Sequence, residues 1–186
     1  MKIILLNGPP RSGKDYAGRA LRAKVVNSYI FKMARQLKER THALYGLGED
    51  GVCYPHDWYE NVKDKPLEDF LGITPRGAYI AVSEMLMKPL HGEDIFGRWL
   101  CDDIATSGVD LALVTDAGFQ LECETVIERF GADNVTLVRI HRDGCDFSSD
   151  SRSYIELDGV QCHDITNDGG PGFRTSLAEL LLSSQV

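Results

Sequence analysis

Uninterrupted apolar runs of strand length recur along the chain, separated by segments of helical periodicity. Residues 2–7, 110–114 and 134–141 (KIILLN, DLALV and NVTLVRIH) have the pattern of strands buried on both faces of a parallel sheet. Residues 25–31 and 160–168 are predicted as two further strands. Strands that alternate with helices predict right-handed crossovers, so we expect an α/β fold, a three-layer sandwich around a parallel sheet of about five strands.

Helical periodicity fills most of the intervals between the predicted strands. Residues 32–48 are amphipathic, with Met33, Leu37, Ala43 and Leu44 as the predicted inward positions. The helix that follows the acidic segment begins with a threonine cap and a proline at its first helical position. The other predicted helices are residues 14–24, 74–92, 93–108, 121–131 and 175–185.

Residues 49–73 interrupt this periodicity, because they are acidic and aromatic and have no regular apolar pattern. We predict an irregular excursion there, on the substrate side of the protein. The length of 186 residues fits one domain. We therefore expect a single domain over residues 1–186, with a substrate-side segment at about 49–106 and a lid-like polar segment at about 143–156.

Composition excludes several classes of protein. A hydrophobic share of 43% and a charged share of 26% are ordinary for a globular domain. The five cysteines are odd in number, none lies in a C-x-x-C pair and the histidines are scattered, so neither a disulfide framework nor a protein-only metal site is predicted. The apolar run near the first residue is too short for a signal peptide or a membrane span. We expect a cytoplasmic protein with no membrane partner.

The charges are unevenly distributed along the chain. The net charge of −8 argues against a general nucleic-acid binder. Residues 1–40, however, contain ten Lys and Arg against two acids, so this segment carries +8 and the remainder −16. A basic segment of this kind favours a polyanionic ligand, and a solvated helix face is the alternative explanation.

The segment GPPRSGKD at 8–15 follows the first predicted strand and opens the first predicted helix. It matches the phosphate-binding pattern G-x-x-x-x-G-K-[S/T] except at the last position, where Asp15 replaces the hydroxyl residue that normally contacts Mg²⁺. The glycines let backbone N–H groups face a phosphate, the helix adds its positive end, and Lys14 reaches the terminal phosphates. The alternative is a glycine-rich turn that binds nothing. The predicted nucleotide-binding residues of the loop are Gly8, Pro9, Pro10, Arg11, Ser12, Gly13, Lys14 and Asp15.

Further charged residues lie where predicted strands end. Asp116 follows a buried strand, the position of an acid that holds Mg²⁺ in P-loop proteins, so it is predicted as a metal ligand together with Asp15. A turn or N-cap aspartate is the alternative. Arg142 ends the strand at 134–141 and is assigned to the nucleotide site. Arg152 lies in the polar stretch SSDSRS and is the candidate lid arginine that contacts the γ-phosphate. The predicted catalytic residues are Lys14, Asp15, Asp116 and Arg152.

Two arginines are candidates for binding an acceptor phosphate. Arg76 and Arg98 lie in predicted helices between the strand at 2–7 and the strand at 110–114. A surface salt bridge is the alternative for each. Four aromatic residues could stack on a base, although core packing is the commoner role: Tyr79, Trp99, Phe119 and Tyr154.

Five segments together resemble the phage-type deoxynucleoside monophosphate kinases, a branch of the P-loop nucleotide kinases. They are LNGPPRSGKDYAGRAL, MARQLKERTHALYGL, TPRGAYIAVSEMLMKPLHGEDIFGRWL, LVTDAGFQLECETVIERFG and LVRIHRDGCDFSSDSRSYI, and they cover most of the chain. The resemblance includes a loop that ends in S-G-K-D, so Asp15 looks like a family trait. The chain is also similar to phage kinases that phosphorylate 5-hydroxymethyluracil within DNA, a step toward hypermodified thymidines.

The resemblance implies the P-loop nucleotide-kinase fold, ATP as donor, Mg²⁺, and a deoxynucleotide as acceptor. By position, Lys14 and Asp15 match the phosphate and metal roles of the loop. Asp116 matches the acid after the strand, Arg152 would be the lid arginine, and Arg98 is a weaker match. For a phage-encoded protein the compartment would be the host cytoplasm.

Two acceptors stay open at this point: the 5′-phosphate of a free dNMP, which would give a dNDP, and the 5-hydroxymethyl group of 5-hydroxymethyl-deoxyuridine in DNA. The acidic total favours the small molecule, whereas the basic first forty residues and the compact chain favour DNA. A rival of another class is a nucleotide-dependent switch that hydrolyses ATP slowly and transfers nothing. Base preference, ATP against GTP, and the oligomeric state, with a homodimer as one option, also stay open.

Overall fold

The computed structural model describes residues 1–47, 56–148 and 150–183. The chain divides into two compact units. The larger contains Met1–Met33 and Gly97–Val186, and the smaller contains Ala34–Phe96. The smaller unit overlaps the segment at about 49–106 that the sequence assigns to the substrate side, and that role stays a prediction. None of the described helices has the length and apolar character needed to cross a membrane.

The larger unit is built on a sheet whose five strands all run parallel, in the order β2-β3-β1-β4-β5. The strands are β1 (Lys2–Asn7), β2 (Ser28–Phe31), β3 (Leu111–Val114), β4 (Val135–His141) and β5 (Gln161–Thr166). The central strand β1 lies between β3 and β4, and Leu5 is in register with Val114 on one side and Leu137 on the other. The predicted α/β fold with a parallel sheet is confirmed.

Helices connect the strands at the predicted places. They are α1 (Lys14–Arg22), α2 (Arg35–Leu44), α3 (His56–Asn61), α4 (Pro75–Val82), α5 (Lys88–His91), α6 (Ile95–Ser107), α7 (Gln120–Phe130) and α8 (Pro171–Ser183). Short 3₁₀ turns occupy Glu68–Phe70 and Ala132–Asn134, and a π-helical turn at Ser83–Met87 joins α4 to α5. The predicted cap of α4 is confirmed, since Gly77 N donates to Thr74 Oγ1 at 3.0 Å.

Helices cover both faces of the sheet, as the alternation along β1 shows. Ile3 and Leu5 point to a core that includes residues of α6 and α7: Leu100, Ile104, Cys123 and Val126. Ile4 and Leu6 point to the opposite core, formed with residues of α1 and α8: Ala17, Leu21, Phe173, Leu177 and Leu180. Because successive side chains of a strand face opposite ways, an uninterrupted apolar strand needs a helical layer on each side. The three-layer sandwich is therefore confirmed.

The strand order places a switch point at β1. The chain builds β2 and β3 on one side of β1 and then β4 and β5 on the other. In open parallel sheets, ligands bind beyond the carboxyl ends of the strands where the strand order reverses. Residues 8–15 leave the carboxyl end of β1, so they lie at this position.

The smaller unit corrects two expectations about its local structure. The predicted inward residues of α2 included Ala43 and Leu44, but both are exposed, whereas Leu37, Thr41 and His42 are buried. The helix begins only at Arg35 and is short, so its inner face is set by the one-turn spacing from Leu37 to Thr41. The segment at 49–73 was expected to be irregular, but its described part contains α3 and a 3₁₀ turn. Residues 48–55, which include Cys53, lie outside the described residues.

Aromatic rings form the core of the smaller unit. His42 Nε2 and Tyr79 Oη share a hydrogen bond of 2.8 Å, and the rings of Tyr59, Phe70 and Tyr79 lie 4.7–5.7 Å from the His42 ring. Burial and the charge of Glu60 raise the pKa of Tyr79 to about 12. Tyr79 is therefore a core residue, the commoner of the two roles that the sequence left open for it.

Asn7 ends β1 with a fully buried amide that supports the larger unit. Its Nδ2 donates to the carbonyl oxygens of Ala117 (3.0 Å) and Ser153 (3.1 Å), and its Oδ1 accepts from Ile155 N at 3.2 Å. We predict that Asn7→Ala lowers the free energy of unfolding by about 3 kcal/mol, because it leaves buried backbone groups without partners. Chemical denaturation of the two proteins measures this difference.

The matched control is Asn27→Ala. Asn27 Nδ2 also donates to two acceptors, Gly108 O and Asp110 Oδ2, but at an exposed position where water replaces the lost partner. We expect a change within about 0.5 kcal/mol there. Equal losses in the two variants would contradict the role assigned to the buried Asn7.

Candidate functional site

The loop from Gly8 to Asp15 has a backbone that only glycine fits at two positions. Gly13 has φ +107°, and a Cβ there would lie 2.4 Å from Asn167 Nδ2. Gly8 has φ +156°, and a Cβ there would lie 2.6 Å from the carbonyl oxygen of Ile140. The two glycines of the phosphate-binding pattern therefore have a physical reason in this chain, independent of any ligand.

The loop presents an uncapped helix end. Gly13 is the N-cap of α1 and no side chain caps this helix. The first amide N–H groups of a helix have no intrahelical acceptors, and together with the helix dipole they attract an anion. The hydroxyl of Ser12 is fully buried beside them and has no hydrogen-bond partner among the described residues. An anion at this end would satisfy groups that the protein leaves unsatisfied.

Lys14 folds back onto the loop. Its ammonium donates to the carbonyl oxygens of Gly8 (2.6 Å) and Pro9 (2.7 Å). Burial and the nearby charge of Arg152 lower the pKa of Lys14 to about 8, against the opposing charges of neighbouring carboxylates. A bound polyphosphate would add negative charge at the same place and would favour the charged ammonium.

Asp15, the last residue of the loop, lies in a cluster of polar groups. Its Oδ1 accepts from Lys32 Nζ at 2.8 Å. Burial raises the pKa of Asp15, but Lys32, the Thr115 hydroxyl and Arg19 together bring it below its ordinary value. Thr115 is buried and acts on Asp15 although its Oγ1 does not reach hydrogen-bond geometry with any described residue. Close packing brings these elements together, since a Cβ at Gly18 of α1 would lie 2.4 Å from Thr115 Cγ2.

Asp116 follows β3 and is held by the end of β2. Its Oδ1 accepts from the backbone N–H of Met33 at 2.8 Å. The negative charge of Asp116 favours the charged forms of both Lys14 and Arg152. At Lys14 it opposes the burial that lowers the pKa. The structure thus brings Asp116 into the same electrostatic site as the loop, as the sequence predicts.

The two carboxylates fit a magnesium ion. Mg²⁺ uses one or two carboxylates and takes its remaining oxygens from water and phosphate, so it does not need a cage of protein ligands. No cluster of three or more His, Cys, Asp or Glu suited to a metal is found in the described part of the chain. Asp15 and Asp116 are the residues that would hold the ion, and this role stays a prediction.

Arg152 is held over the site by a carboxylate that sequence analysis missed. Its Nε donates to Asp150 Oδ1 at 2.8 Å and its Nη2 to Oδ2 at 2.5 Å, while the Arg152 N–H also reaches Oδ1 at 3.0 Å. The aliphatic part of Arg152 lies against Gly118, where a Cβ would be 2.2 Å from Cδ. Asn7 anchors the flanking backbone at Ser153 and Ile155.

Asn167, after β5, closes the loop from the other side. Its buried amide donates to the carbonyl oxygen of Ser12 at 2.7 Å and accepts from Gly169 N at 3.0 Å. Its backbone N–H donates to His141 O at 2.7 Å. The end of β5 therefore fixes the loop that follows β1.

The arginines at the end of β4 differ in their surroundings. Arg142 is exposed and donates from Nη1 to the carbonyl oxygen of Arg11 at 3.1 Å, so it lies at the rim of the loop. Arg139 makes a two-bond contact with Asp164 of β5, at 3.0 and 2.6 Å, and Asp164 also contacts His141. Arg142 is thus brought to the predicted nucleotide site, whereas Arg139 is held in a cross-strand ion pair.

The two candidate acceptor arginines lie in different units. Arg76 begins α4 in the smaller unit and forms an exposed ion pair with Asp64, with Nε at 2.6 Å from Oδ1. Arg98 is exposed on α6 in the larger unit. Their substrate roles stay predictions. Of the remaining aromatic candidates, Tyr154 has its ring tilted by 33° against that of His141, with centroids 4.5 Å apart.

Four residues of the site were not found from the sequence: Asn7, Gly118, Asp150 and Asn167. Asn7 is the last residue of the predicted strand at 2–7 and Asn167 lies near the end of the predicted strand at 160–168, which places both at the carboxyl edge of the sheet. That position was the available signal. Nothing in the sequence pairs Asp150 with Arg152 in particular, because a polar segment contains many such neighbours.

Comparisons with known proteins give little further information. An unliganded sugar kinase from Janibacter sp. HTCC2649 is similar in structure at 12% sequence identity, with a TM-score of 0.49 over 100% of this chain and 94% of that chain. No protein-family model and no curated protein matches the chain. A structural likeness with so low a TM-score carries no argument about function, so the proposals below rest on the site itself.

We predict that Asn167→Ala loosens the loop. Removing the amide leaves Ser12 O without its buried donor, so the loop opens more often and the amides of Ser12 and Ala17, which donate to Pro9 O and Gly13 O, lose protection. Hydrogen exchange at these amides should accelerate roughly tenfold.

Asn134→Ala is the control for the loop experiment. Asn134 Nδ2 donates to Phe130 O at 2.9 Å, next to the start of β4 and so at the opposite edge of the sheet. Exchange in residues 8–17 should not change in this variant. Unchanged exchange of the Ser12 amide in Asn167→Ala would show that Asn167 does not hold the loop.

Proposed function

We propose that the chain is an ATP-dependent P-loop kinase that transfers a γ-phosphoryl group to a deoxynucleotide acceptor. The observation that carries the proposal is the amino end of α1, which no side chain caps. This end lies at the carboxyl edge of a parallel sheet, and Lys14 folds back there to bond to the carbonyl oxygens of Gly8 and Pro9. The buried, unpartnered hydroxyls of Ser12 and Thr115 support it, because both lie where a phosphate or its hydration shell would supply partners.

The loop and Lys14 bind the donor. Amide N–H groups at the start of α1 hold phosphate oxygens of ATP. Lys14 exchanges its contacts with Gly8 O and Pro9 O for the terminal phosphates, where its charge offsets the charge that spreads over the transferred group. Asp15 and Asp116 would hold Mg²⁺, which supplies charge neutralisation of the phosphate oxygens when bound.

Arg152 stabilises the transferred group. In the structure the guanidinium of Arg152 donates to both carboxylate oxygens of Asp150, so the arginine already binds an anion. A γ-phosphate, like a carboxylate, offers two oxygens that accept a pair of hydrogen bonds from one guanidinium, so the arginine exchanges one anion for the other. Such an arginine acts on the transition state more than on ATP binding.

The reaction breaks the bond between the γ-phosphorus and the β–γ bridging oxygen, releases ADP, and forms a new ester or anhydride bond at the acceptor oxygen. A dNMP already carries a charged phosphate oxygen, and arginines such as Arg76 and Arg98 are the proposed groups for binding it. The hydroxymethyl group of a modified uracil is neutral and must lose a proton, and Asp15 or Asp116 is the proposed base that accepts it. The resemblance to phage kinases supports both acceptors.

Transfer of label from γ-³²P ATP tests this function. We predict that wild type labels either a free dNMP or duplex DNA that contains 5-hydroxymethyluracil, and that Lys14→Ala lowers the rate by roughly 10³-fold, because it removes the loop cation. The assay runs the four dNMPs, the modified DNA and thymine DNA side by side with Mg²⁺.

Lys2→Ala is the matched control, since Lys2 donates to Asp133 O at the amino edge of the sheet, away from the loop. It should transfer at the wild-type rate. Label in a dNDP identifies a precursor kinase, and label retained on the modified polymer identifies a DNA kinase. ATP hydrolysis that no acceptor changes would contradict the kinase proposal and favour the switch.

We predict that Gly118→Ala reproduces the loss seen in Arg152→Ala. The backbone of Gly118 is outside the left-handed region, so alanine is tolerated there, but its methyl group would occupy the position of Arg152 Cδ. Displacing the arginine should lower kcat roughly 10- to 100-fold, with a smaller change in KM for ATP and little change in Tm.

Gly170→Ala is the control for this substitution, since its Cβ would meet only the Asp168 side chain at an ordinary 3.4 Å. Its kcat should equal that of wild type. If Gly118→Ala keeps full kcat while Arg152→Ala does not, then the contact with Gly118 does not position the arginine; if both keep it, Arg152 has no role in transfer.

A further inference from the structure

The ten Lys and Arg side chains of the first forty residues have different surroundings in the fold. Six of the ten cations are bound in place: Lys2 at Asp133 O, Lys14 at the loop, Lys32 at Asp15, and Arg35, Lys38 and Arg40 in the smaller unit at Glu39, Glu60 and Gln36. The other four, Arg11, Arg19, Arg22 and Lys24, are exposed, as are Arg35 and Arg40. Three of these four lie on or directly after α1.

These three cations form one surface with two exposed tyrosines, which we name the α1 surface: Tyr16, Arg19, Arg22, Lys24 and Tyr29. Tyr16, Arg19 and Arg22 are spaced three residues apart on α1, so they form a row about 9 Å long on one side of the helix. The Arg22 guanidinium lies over the ring of Tyr29, 5.6 Å from its centroid, which extends the row to the edge strand β2.

The two rings at the ends of this row are partly exposed. Tyr16 is 43% exposed and stacks on the ring of Phe173, with centroids 6.0 Å apart, and Tyr29 is 50% exposed with the ring of Phe31 edge-on at 5.0 Å. Each ring is held by a protein contact and keeps the rest of its surface in solvent. Asp15 is the carboxylate nearest the row on α1, and Lys32 already neutralises it. The α1 surface is therefore positive and aromatic on a chain whose net charge is −8.

We propose that the α1 surface binds single-stranded DNA. Cations in a row match the phosphates of a strand, and exposed rings beside them stack on bases that are not paired. The rings favour a single strand over a duplex, since the bases of a duplex are already stacked on each other. The proposal deepens the proposed function, on which it rests for the acceptor, by naming a DNA strand as the substrate class.

Fluorescence anisotropy of labelled oligo(dT), without ATP, tests this surface directly. Three phosphate contacts predict that the logarithm of the association constant falls with the logarithm of salt concentration with a slope of about −2. Arg22→Glu and Arg19→Glu should each weaken binding at least tenfold and make the slope smaller in magnitude. Tyr29→Leu should weaken binding roughly tenfold with the slope unchanged, because it removes stacking without removing charge.

Arg129→Glu is the matched control for the charge change. Arg129 is exposed at the end of α7, which packs on the face of the sheet opposite to α1. It should bind oligo(dT) within about twofold of wild type. Thermal unfolding of every variant separates a lost contact from a lost fold, and Lys24→Glu replaces any variant that does not fold, since Lys24 lies after the helix.

Several outcomes would overturn the proposal. Oligo(dT) is not a ligand if it fails to bind at low salt, or if anionic phospholipid vesicles bind and DNA does not. The α1 surface is not the site if Arg129→Glu and Arg22→Glu weaken binding equally. The preference for a single strand is wrong if duplex DNA binds more tightly. Binding of oligo(dT) does not require catalysis, so the two proposals fail separately. Transfer to a dNMP without DNA binding removes this inference alone, and DNA binding without any transfer removes the kinase proposal alone.

Discussion

The buried amide of Asn7 is the contact on which the arrangement of the site depends. Asn7 ends the central strand, and its side chain bonds both to the turn after β3 and to the segment that carries Arg152. The turn after β3 and the segment that carries Arg152 are far apart in sequence, and both therefore bond to one buried side chain at the start of the loop at 8–15. Because the partners are buried backbone groups, none of the three segments is able to move without breaking hydrogen bonds that water does not replace.

Charges in the site are matched internally in the same structure. Lys14 is bonded to loop carbonyl oxygens, Arg152 to Asp150, and Asp15 to Lys32. Each of these contacts keeps a partly buried charge from being unpaired, which would be costly. A polyphosphate with its cation would exchange the partners without creating new unpaired charges. The gain from binding would therefore come from the groups that the protein leaves without partners, which are the first N–H groups of α1 and the Ser12 hydroxyl.

The periodicity of the sequence was sufficient to predict the sheet and its three layers. Each central strand is apolar on both faces, and a layer of helices on each side of the sheet is what buries both faces. Lys14, Asp116 and Arg142 were also predicted from the sequence, since each follows a strand or loop at the edge where ligands bind, and their roles stay predictions. Asn167 lies at the same edge, but its partner could not be predicted, because it bonds to Ser12 across 155 residues. Gly118 could not be predicted either, because glycine is needed there only where the stem of Arg152 lies on it. Both depend on tertiary contacts that leave no local pattern.

The division of the basic segment shows why net charge over a stretch of sequence is a weak guide to a surface. Ten cations within forty residues suggest one polyanion site, but the fold distributes them among ion pairs, the loop and one helix. A cation in an ion pair acts weakly on a distant partner, because its charge is already largely cancelled. Arg19, Arg22 and Lys24 form a short exposed row beside two partly exposed rings. Its length suits a few nucleotides of one strand, and a DNA acceptor would be the substrate long enough to contact both this row and the phosphate loop.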